Sequence, residues 1–380
     1  MNGGRAERHR ERREEARRFA TGELAPWADA IDREQATPPS VLAAMRGSGL
    51  LGAALPEEWG GGGIEPSGYG LITEEIGRVC SSLRSLMTVH NMSAQAILRF
   101  GSPEQKTRWL PELCGGRRII AFALSEPEAG SATSDISTRA VADGEAFRLY
   151  GVKKWISYGQ VADQFLVFAR QEGGPVALIV DRDSEGLAIE PISGIFGTRG
   201  AMLAQLRFEG VRVPTDRQLG QAGMGLSLEA NFALDHGRFS VAWGSTGLIQ
   251  ACLDACVSYA QHRSQSDGRL IDFQLVKRQL ADMLVAHSAS RALCLGCAAL
   301  REQGDPRAIM ETSLAKYHAS AAAIRVANDA VHLHGANGCS EDYPVGRYLR
   351  DATVGGIVEG THEIHQIALA SYALQRPYLD

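Results

Sequence analysis

The stretch QFLVFARQEGGPVALIVDRD, residues 164–183, carries the reading of the fold. It holds two short apolar runs rich in β-branched and aromatic residues. Gly173 and Gly174 part them, and Asp181 and Asp183 close the second, which is the punctuation of strands rather than helices. FRLYGVKKWI (147–156) and AQLRFEGVRV (204–213) repeat this texture on either side. Residues 118–225 therefore read as a middle β domain of sandwich or barrel type. Outside it the texture changes. Residues 1–117 are Ala-, Leu- and Arg-rich, broken by Pro38-Pro39, by EEWGGGG at 57–63 and by GSPEQ at 101–105, and read as an all-α domain. Residues 226–380 return to long Ala-rich runs, LADMLVAHSASRALCLGCAAL and AKYHASAAAIRVANDAVHL among them. Their apolar spacing predicts a C-terminal four-helix bundle. The expected class is α+β, in the order helices, β domain, helices.

Composition narrows the function classes. A chain of 380 residues exceeds one ordinary core, and 44% hydrophobic with 22% charged residues is the balance of a soluble globular protein. A net charge of −5 argues against a nucleic-acid binder. The one dense basic run, RAERHRERREEARRF at 5–19, interleaves Glu with its Arg and lacks an apolar core. It reads as a solvated, partly helical segment rather than a targeting signal. No apolar run approaches the roughly 20 residues of a membrane span. A cytoplasmic protein with no membrane partner is expected. The cysteines sit mostly in Ala-rich surroundings, and the Cys294/Cys297 pair has no second pair beside it. His362, Glu363 and His365 fall one residue short of the zinc-protease spacing, so no metal site is expected. Gly223 and Gly225 lack the third glycine of a dinucleotide loop, and no Walker or G-x-S-x-G motif is present.

IVEGTHEIHQ (357–366) poses the chemical question. Glu359 stands between apolar Ile357-Val358 and flexible Gly360. It is either a solvated loop carboxylate or a base aimed into a pocket, where apolar neighbours would desolvate it. Thr361 is placed to cap a following helix.

AFALSEPEAGS (121–131), KKWIS (153–157), YAQHR with FQ (259–263, 273–274), LHGANG (333–338) and VEGT (358–361), together with LPEEWGG (55–61), occur in order. The chain resembles the acyl-CoA dehydrogenase family over nearly its whole length. The resemblance implies FAD as cofactor. It implies removal of a proton α to a thioester carbonyl with hydride transfer from the β-carbon, and Glu359 as the base. It further implies that the backbone around Phe122, Leu124 and Ser125 faces the isoalloxazine, with Gly130 and Ser131 nearby and Trp155 and Ser157 against the ring. Arg263 and Gln274 would reach the pyrophosphate and adenosine half from a neighbouring subunit of a homodimer or homotetramer. His332 and Gly335 belong to the cofactor turn, and Thr361 and Glu363 would lie beside the same cofactor. Ser131, Arg238 and Gly360 would line the substrate path. In relatives that keep the base elsewhere it precedes such an Arg; here the stretch is LDHGR (234–238), with Gly237 before Arg238 and Asp235 two residues off.

Three departures stand out. Ser266-Asp267 replaces the usual Phe-Gly beside the adenine half, His332 replaces a Gln, and Ala132-Thr133-Ser134 separates AGS from Asp135. They imply retained FAD with an altered mouth. CSSLRSLMTVHNM (80–92) and GRFSVAWG (237–244) resemble the biosynthetic acyl-carrier-protein dehydrogenases of polyketide extender-unit pathways. That branch implies a short polar acyl group on a carrier protein, with Ser82, Thr88 and His90 lining its pocket or facing solvent. The alternatives are a catabolic short-chain acyl-CoA dehydrogenase passing electrons to an electron-transferring flavoprotein and forming a 2-enoyl-CoA, or a flavin monooxygenase on the same fold.

Overall fold

The computed structural model describes residues 3–375. The first part is six helices: α1 (Gly3–Phe19), α2 (Ala28–Glu34), α3 (Pro39–Gly47), α4 (Pro66–Val79), α5 (Ser81–Phe100) and α6 (Pro103–Cys114). Their starts follow local chemistry. Pro occupies the first turn of α3, α4 and α6, where its missing N–H costs nothing, and Ser102 with Gln105 forms a reciprocal capping box on α6. Cys80, extended at φ −154, turns the chain sharply between α4 and α5. The basic N-terminal run is less solvated than its composition suggests. Ala16 is buried, and Arg13 Nε donates to Glu75 Oε1 at 2.8 Å, docking α1 on α4.

The middle region is an eight-stranded sheet: β1 (Ile120–Ala123), β2 (Arg139–Asp143), β3 (Ala146–Ile156), β4 (Gln164–Gln171), β5 (Gly174–Asp181), β6 (Leu187–Pro191), β7 (Ala204–Pro214) and β8 (Gln218–Leu219). The strand order is β6-β7-β3-β2-β4-β5-β8, with β1 pairing parallel to β4. β4 and β5 are antiparallel, Gln164 opposite Asp181 through Gln171 opposite Gly174. Side chains alternate across a strand, so β4 feeds two cores: Phe165, Val167 and Ala169 enter one, Leu166 and Phe168 the other, which is shared with α5 and α6. Burial on both faces is why the run reads as uninterrupted apolar sequence.

A π-helical turn, Gly225–Ala230, leads into α7 (Asn231–His262). The short pair β9 (Ser264–Gln265) and β10 (Gly268–Arg269) precedes α8 (Gln274–Glu302), α9 (Ala308–His334), α10 (Val345–Gly355) and α11 (His362–Gln375). α7 crosses α4 with its backbone in contact: a Cβ on Gly77 would stand 2.7 Å from the Gly244 Cα. Contrary to the composition reading, α8 is long and apolar enough to cross a membrane, with a mean hydropathy of 1.4 over 18 residues. Its buried residues, Met283, Cys294 and Cys297 among them, pack within the helical region. Cys297 Sγ donates to the Cys294 carbonyl and Thr246 Oγ1 lies 3.6 Å from Cys294 Sγ, so this pair is engaged in helix packing.

Candidate active site

The loop between α10 and α11 presents Glu359 at φ 58, a left-handed conformation for a non-glycine residue, with Gly360 following at φ 99. Such a backbone costs on the order of 1–3 kcal/mol and persists only where surrounding contacts hold it. Those contacts are visible. Arg238 Nε donates to the Glu359 carbonyl at 3.2 Å, and buried Lys316 Nζ donates to the Gly360 carbonyl at 2.6 Å. Thr361 Oγ1 accepts from the Ile364 N–H, capping α11 as expected. The side chain turns inward, and Glu359 Oε2 is buried with no hydrogen-bond partner among the described residues. Room for it comes from Gly237, where a Cβ would lie 2.5 Å from Glu359 Cδ.

Burial pushes the Glu359 carboxyl up to about 7, against the opposing pull of Arg238, then Lys316, then Arg84. A carboxyl poised there can take a weakly acidic proton near neutral pH. The desolvation does not come from Ile357, which is 59% exposed. Val358 on the other flank is half-buried, and the carboxyl itself lies against Gly237 of α7.

Beside Glu359 lies a polar corner that the motif reading passed over. Arg84 on α5 is 7% exposed, and its Nη1 donates to Thr88 Oγ1 at 3.0 Å. Thr88 Oγ1 lies 2.7 Å from Ser240 Oγ on α7. Gly244 makes space for the arginine stem. The signal in the sequence is an arginine with Thr88 one turn on, both within the buried part of α5. Of the three residues expected in a polar pocket, only Thr88 belongs to this corner. Ser82 Oγ accepts from the Gly200 N–H, and His90 Nε2 lies 3.1 Å from the Leu113 carbonyl while its Nδ1 faces the Ile120 N–H at 3.4 Å. Burial drops His90 to about 4, so it is a neutral tie between α5, α6 and β1.

That tie also fixes the start of β1 against α5. Arg84 and His90 are six residues apart on α5, about 9 Å along its axis. At the end of β1, Leu124 is buried while Phe122 and Ser125 are half-buried. The Lys154 N–H donates to the Ser125 carbonyl at 2.9 Å, setting Ser125 next to Trp155. Trp155 is not a core aromatic. It is 52% exposed at φ 65, on a bulge of β3, with Lys154 Nζ 4.9 Å from its ring centre. Ser157 is half-buried just beyond, and Gly130 and Ser131 are exposed on the loop before β2. That loop is held by a buried pair: Lys153 Nζ donates to Glu126 Oε1 and to the Leu124 carbonyl, both at 2.8 Å, while Glu126 accepts from Ser137 and from the Thr138 N–H.

The remaining expected cofactor residues lie elsewhere. Arg263 caps α7 twenty-five residues beyond Arg238, about 38 Å along the axis. The Leu270 N–H bonds the Arg263 carbonyl across the β9–β10 turn, near exposed Gln274 at the start of α8. The Gly335 turn docks at the same end: Asn337 Nδ2 donates to Tyr259 Oη at 2.9 Å, and Tyr259 stacks on His334 at 4.2 Å. His332, one turn back on α9, is exposed. Within one chain these residues do not meet Glu359. At the start of α11, backbone N–H and then the Thr361 hydroxyl hold exposed Glu363 below the usual carboxylate range, so its own carboxylate engages that helix start.

Three family profiles match in chain order: the acyl-CoA dehydrogenase N-terminal domain over residues 6–117, the middle domain over 121–211 and the C-terminal domain over 223–374. The chain belongs to the acyl-CoA dehydrogenase family. It is 37% identical to human mitochondrial short-chain specific acyl-CoA dehydrogenase over 365 residues, covering 94% of this chain and 88% of that protein. Among solved structures it resembles butyryl-CoA dehydrogenase of Megasphaera elsdenii, at a TM-score of 0.92, 30% identity, and coverage of 97% and 98% of the two chains. It also resembles FkbI, a protein for biosynthesis of the methoxymalonyl extender unit of a polyketide immunosuppressant, at 0.88, 33% identity, and 95% and 99% coverage. The protein is an oxidoreductase of this family, whose cofactor is FAD.

The residues present fit that group. Trp155 offers an open aromatic face at a strand end, Ser125 and Ser157 flank it, and Glu359 turns an unpartnered carboxyl oxygen inward on the helical side. Bound FAD supplies a two-electron acceptor for a hydride.

Proposed function

We propose that the protein is an FAD-dependent acyl-thioester dehydrogenase acting on a short, polar acyl group held by an acyl carrier protein, in the making of a polyketide extender unit. Glu359 takes the proton α to the thioester carbonyl. Arg238 and Lys316 hold its loop in the strained conformation that aims it, and Gly360 and Ser131 border the substrate. Phe122, Leu124, Ser125, Gly130, Trp155 and Ser157 hold the flavin ring, with Thr361 and Glu363 beside it. Arg263, Gln274, His332 and Gly335 of a second copy hold the adenosine half. The span of about 38 Å along α7 supports a homo-oligomer, since one chain cannot bring both groups to one cofactor.

The observation that carries the substrate reading is the buried Arg84–Thr88–Ser240 corner one helical turn from the base, where an aliphatic chain would leave a cation and two hydroxyls facing hydrocarbon. Similarity to FkbI supports the biosynthetic setting. The test is anaerobic loss of the visible flavin band on mixing with butyryl-CoA or with hydroxyacyl, aminoacyl and carboxyacyl thioesters on a carrier protein. Bleaching by a polar carrier-bound thioester at far lower concentration than butyryl-CoA is expected. Preference for butyryl-CoA, with electrons passed on to an electron-transferring flavoprotein, would replace this reading with the catabolic one.

A further inference from the structure

Between α2, the loop 196–200 before β7 and the turn 338–346 that opens α10 lies a cavity of about 240 Å³. Its α10 wall is the end of that helix away from the Glu359 loop, about 15 Å off along the axis. Four arginines line it: Arg33 from α2, Arg199 from the loop, and Arg347 and Arg350 from α10. Three acids line it with them. Arg350 Nη1 and Nη2 donate to the two Asp32 oxygens at 2.8 and 2.6 Å, and Arg347 Nε donates to Asp29 at 3.0 Å. Glu341 Oε2 lies 3.7 Å from Arg33 Nε, with both side chains mostly exposed. Each acid thus has its arginine, and Arg199 is left over.

Arg199 makes no hydrogen bond or ion pair among the described residues, and its Nε is buried without a partner. An unmatched buried donor is costly, and a guanidinium carries five of them. The backbone that bears it is fixed on both sides. Thr198, at φ 48, donates its N–H to buried Asp351 of α10 at 2.7 Å. The Gly200 N–H donates to Ser82 Oγ, and its carbonyl accepts from Thr37 Oγ1 at 2.8 Å. The cavity also meets the N-terminus of α10, which has no side-chain cap and no acid in its first turn. The first N–H groups of a helix lack partners within it and carry the positive end of its dipole. Gly346 in that turn lines the cavity, and a Cβ there would meet only the Gly338 carbonyl, at 3.5 Å. No side chain covers the helix end from that position.

We propose that this cavity is an inorganic phosphate site, held by Arg199 and the N-terminus of α10, with Arg33 at its rim. A tetrahedral dianion accepts parallel bonds from a guanidinium and further bonds from backbone N–H groups at a helix start. It supplies the charge that the three acids leave unmatched. The volume equals about eight waters, which takes such an ion with part of its water shell. It falls below the roughly 300 Å³ at which pockets for larger organic ligands begin. Bound there, the ion ties α2, the β-domain loop and α10 together. The site is independent of the dehydrogenase reading above.

The test titrates FAD-loaded enzyme in phosphate-free buffer with sodium phosphate at constant ionic strength, with chloride as control. Calorimetry reads Kd, and thermal melts read the accompanying shift. Wild type is expected to bind one phosphate per chain with a Kd below about 1 mM. Its melting temperature should rise as the site fills, and chloride should do neither. Arg199→Gln should weaken binding at least tenfold. Gly346→Glu sets a carboxylate over the helix end without a backbone clash. It should abolish phosphate binding and raise the melting temperature in phosphate-free buffer, and it decides the matter even if Arg199→Gln folds poorly. No saturable phosphate binding in wild type, or an unchanged Kd in either variant, would overturn the site. Displacement of phosphate by free CoA would put the ion in the substrate path and overturn it equally. None of these outcomes touches the dehydrogenase reading, which the flavin-bleaching experiment tests separately.

Discussion

Gly237 on α7 and Glu359 in the loop before α11 occupy one volume: the place where a side chain at 237 would begin is filled by the Glu359 carboxyl. The pair are 122 positions apart in sequence, and the absence of a side chain at one is the condition for the inward rotamer of the other. Gly237→Ala should therefore swing Glu359 away and lower substrate-driven flavin reduction about 100-fold, with FAD content unchanged. Stopped-flow reduction beside a flavin absorbance ratio checks this, and an alanine variant of near wild-type rate would refute it.

Glu359→Gln keeps the shape and removes the proposed base. A loss of about 10²–10⁴-fold in the reductive step is expected. The same variant should be the more heat-stable above neutral pH. The folded carboxyl titrates near 7 and the unfolded one near 4.5, so the native state binds the extra proton between these values. Stability contributed by the neutral acid is present below that window and declines as pH rises through it, a decline that Gln does not suffer. Melting curves at pH 5 and pH 8 read the difference.

With Glu359 as the proposed base, its ionised form is the working one, and kcat/KM should rise with pH through a limb near 7. Lys316 stabilises that ionised form and ties the Gly360 carbonyl. Lys316→Met should move the limb to higher pH as well as lower the rate. A pH profile in which the limb stays in place would leave Lys316 a purely structural role.

The Lys153–Glu126 pair is buried on both sides. Lys153→Met strands Glu126 and should cost about 3–5 kcal/mol. Glu126 also holds Ser137 and Thr138, so Lys153→Met combined with Glu126→Leu should regain melting temperature without regaining flavin affinity. Thermal melts and FAD titration separate these effects. Glu126 is held down at about 2, by Lys153 and by the hydrogen bonds of this loop, against its burial. Its share of stability is thus present above the ordinary carboxylate range and lost as pH falls towards 2.

Much of the architecture was written locally. The uninterrupted apolar runs of β4 and β5, the proline-led starts of α3, α4 and α6, and the Thr361 cap before α11 need only neighbours a few residues away. The motif VEGT singled out Glu359 for the same reason, since a carboxylate beside glycine is visible without a fold. Tertiary structure alone decided what surrounds it. Ile357 faces out although it is apolar, and Ser82 and His90 hold backbone rather than substrate although they are polar. Thr88 meets Ser240 across 152 positions, and Arg263 stands a helix length from Arg238 although both lie on or cap α7. Local rules act through backbone geometry and solvent. The desolvation of Glu359, its strained backbone and its cationic neighbours are set by which distant helix faces pack together, and that is a property of the folded chain.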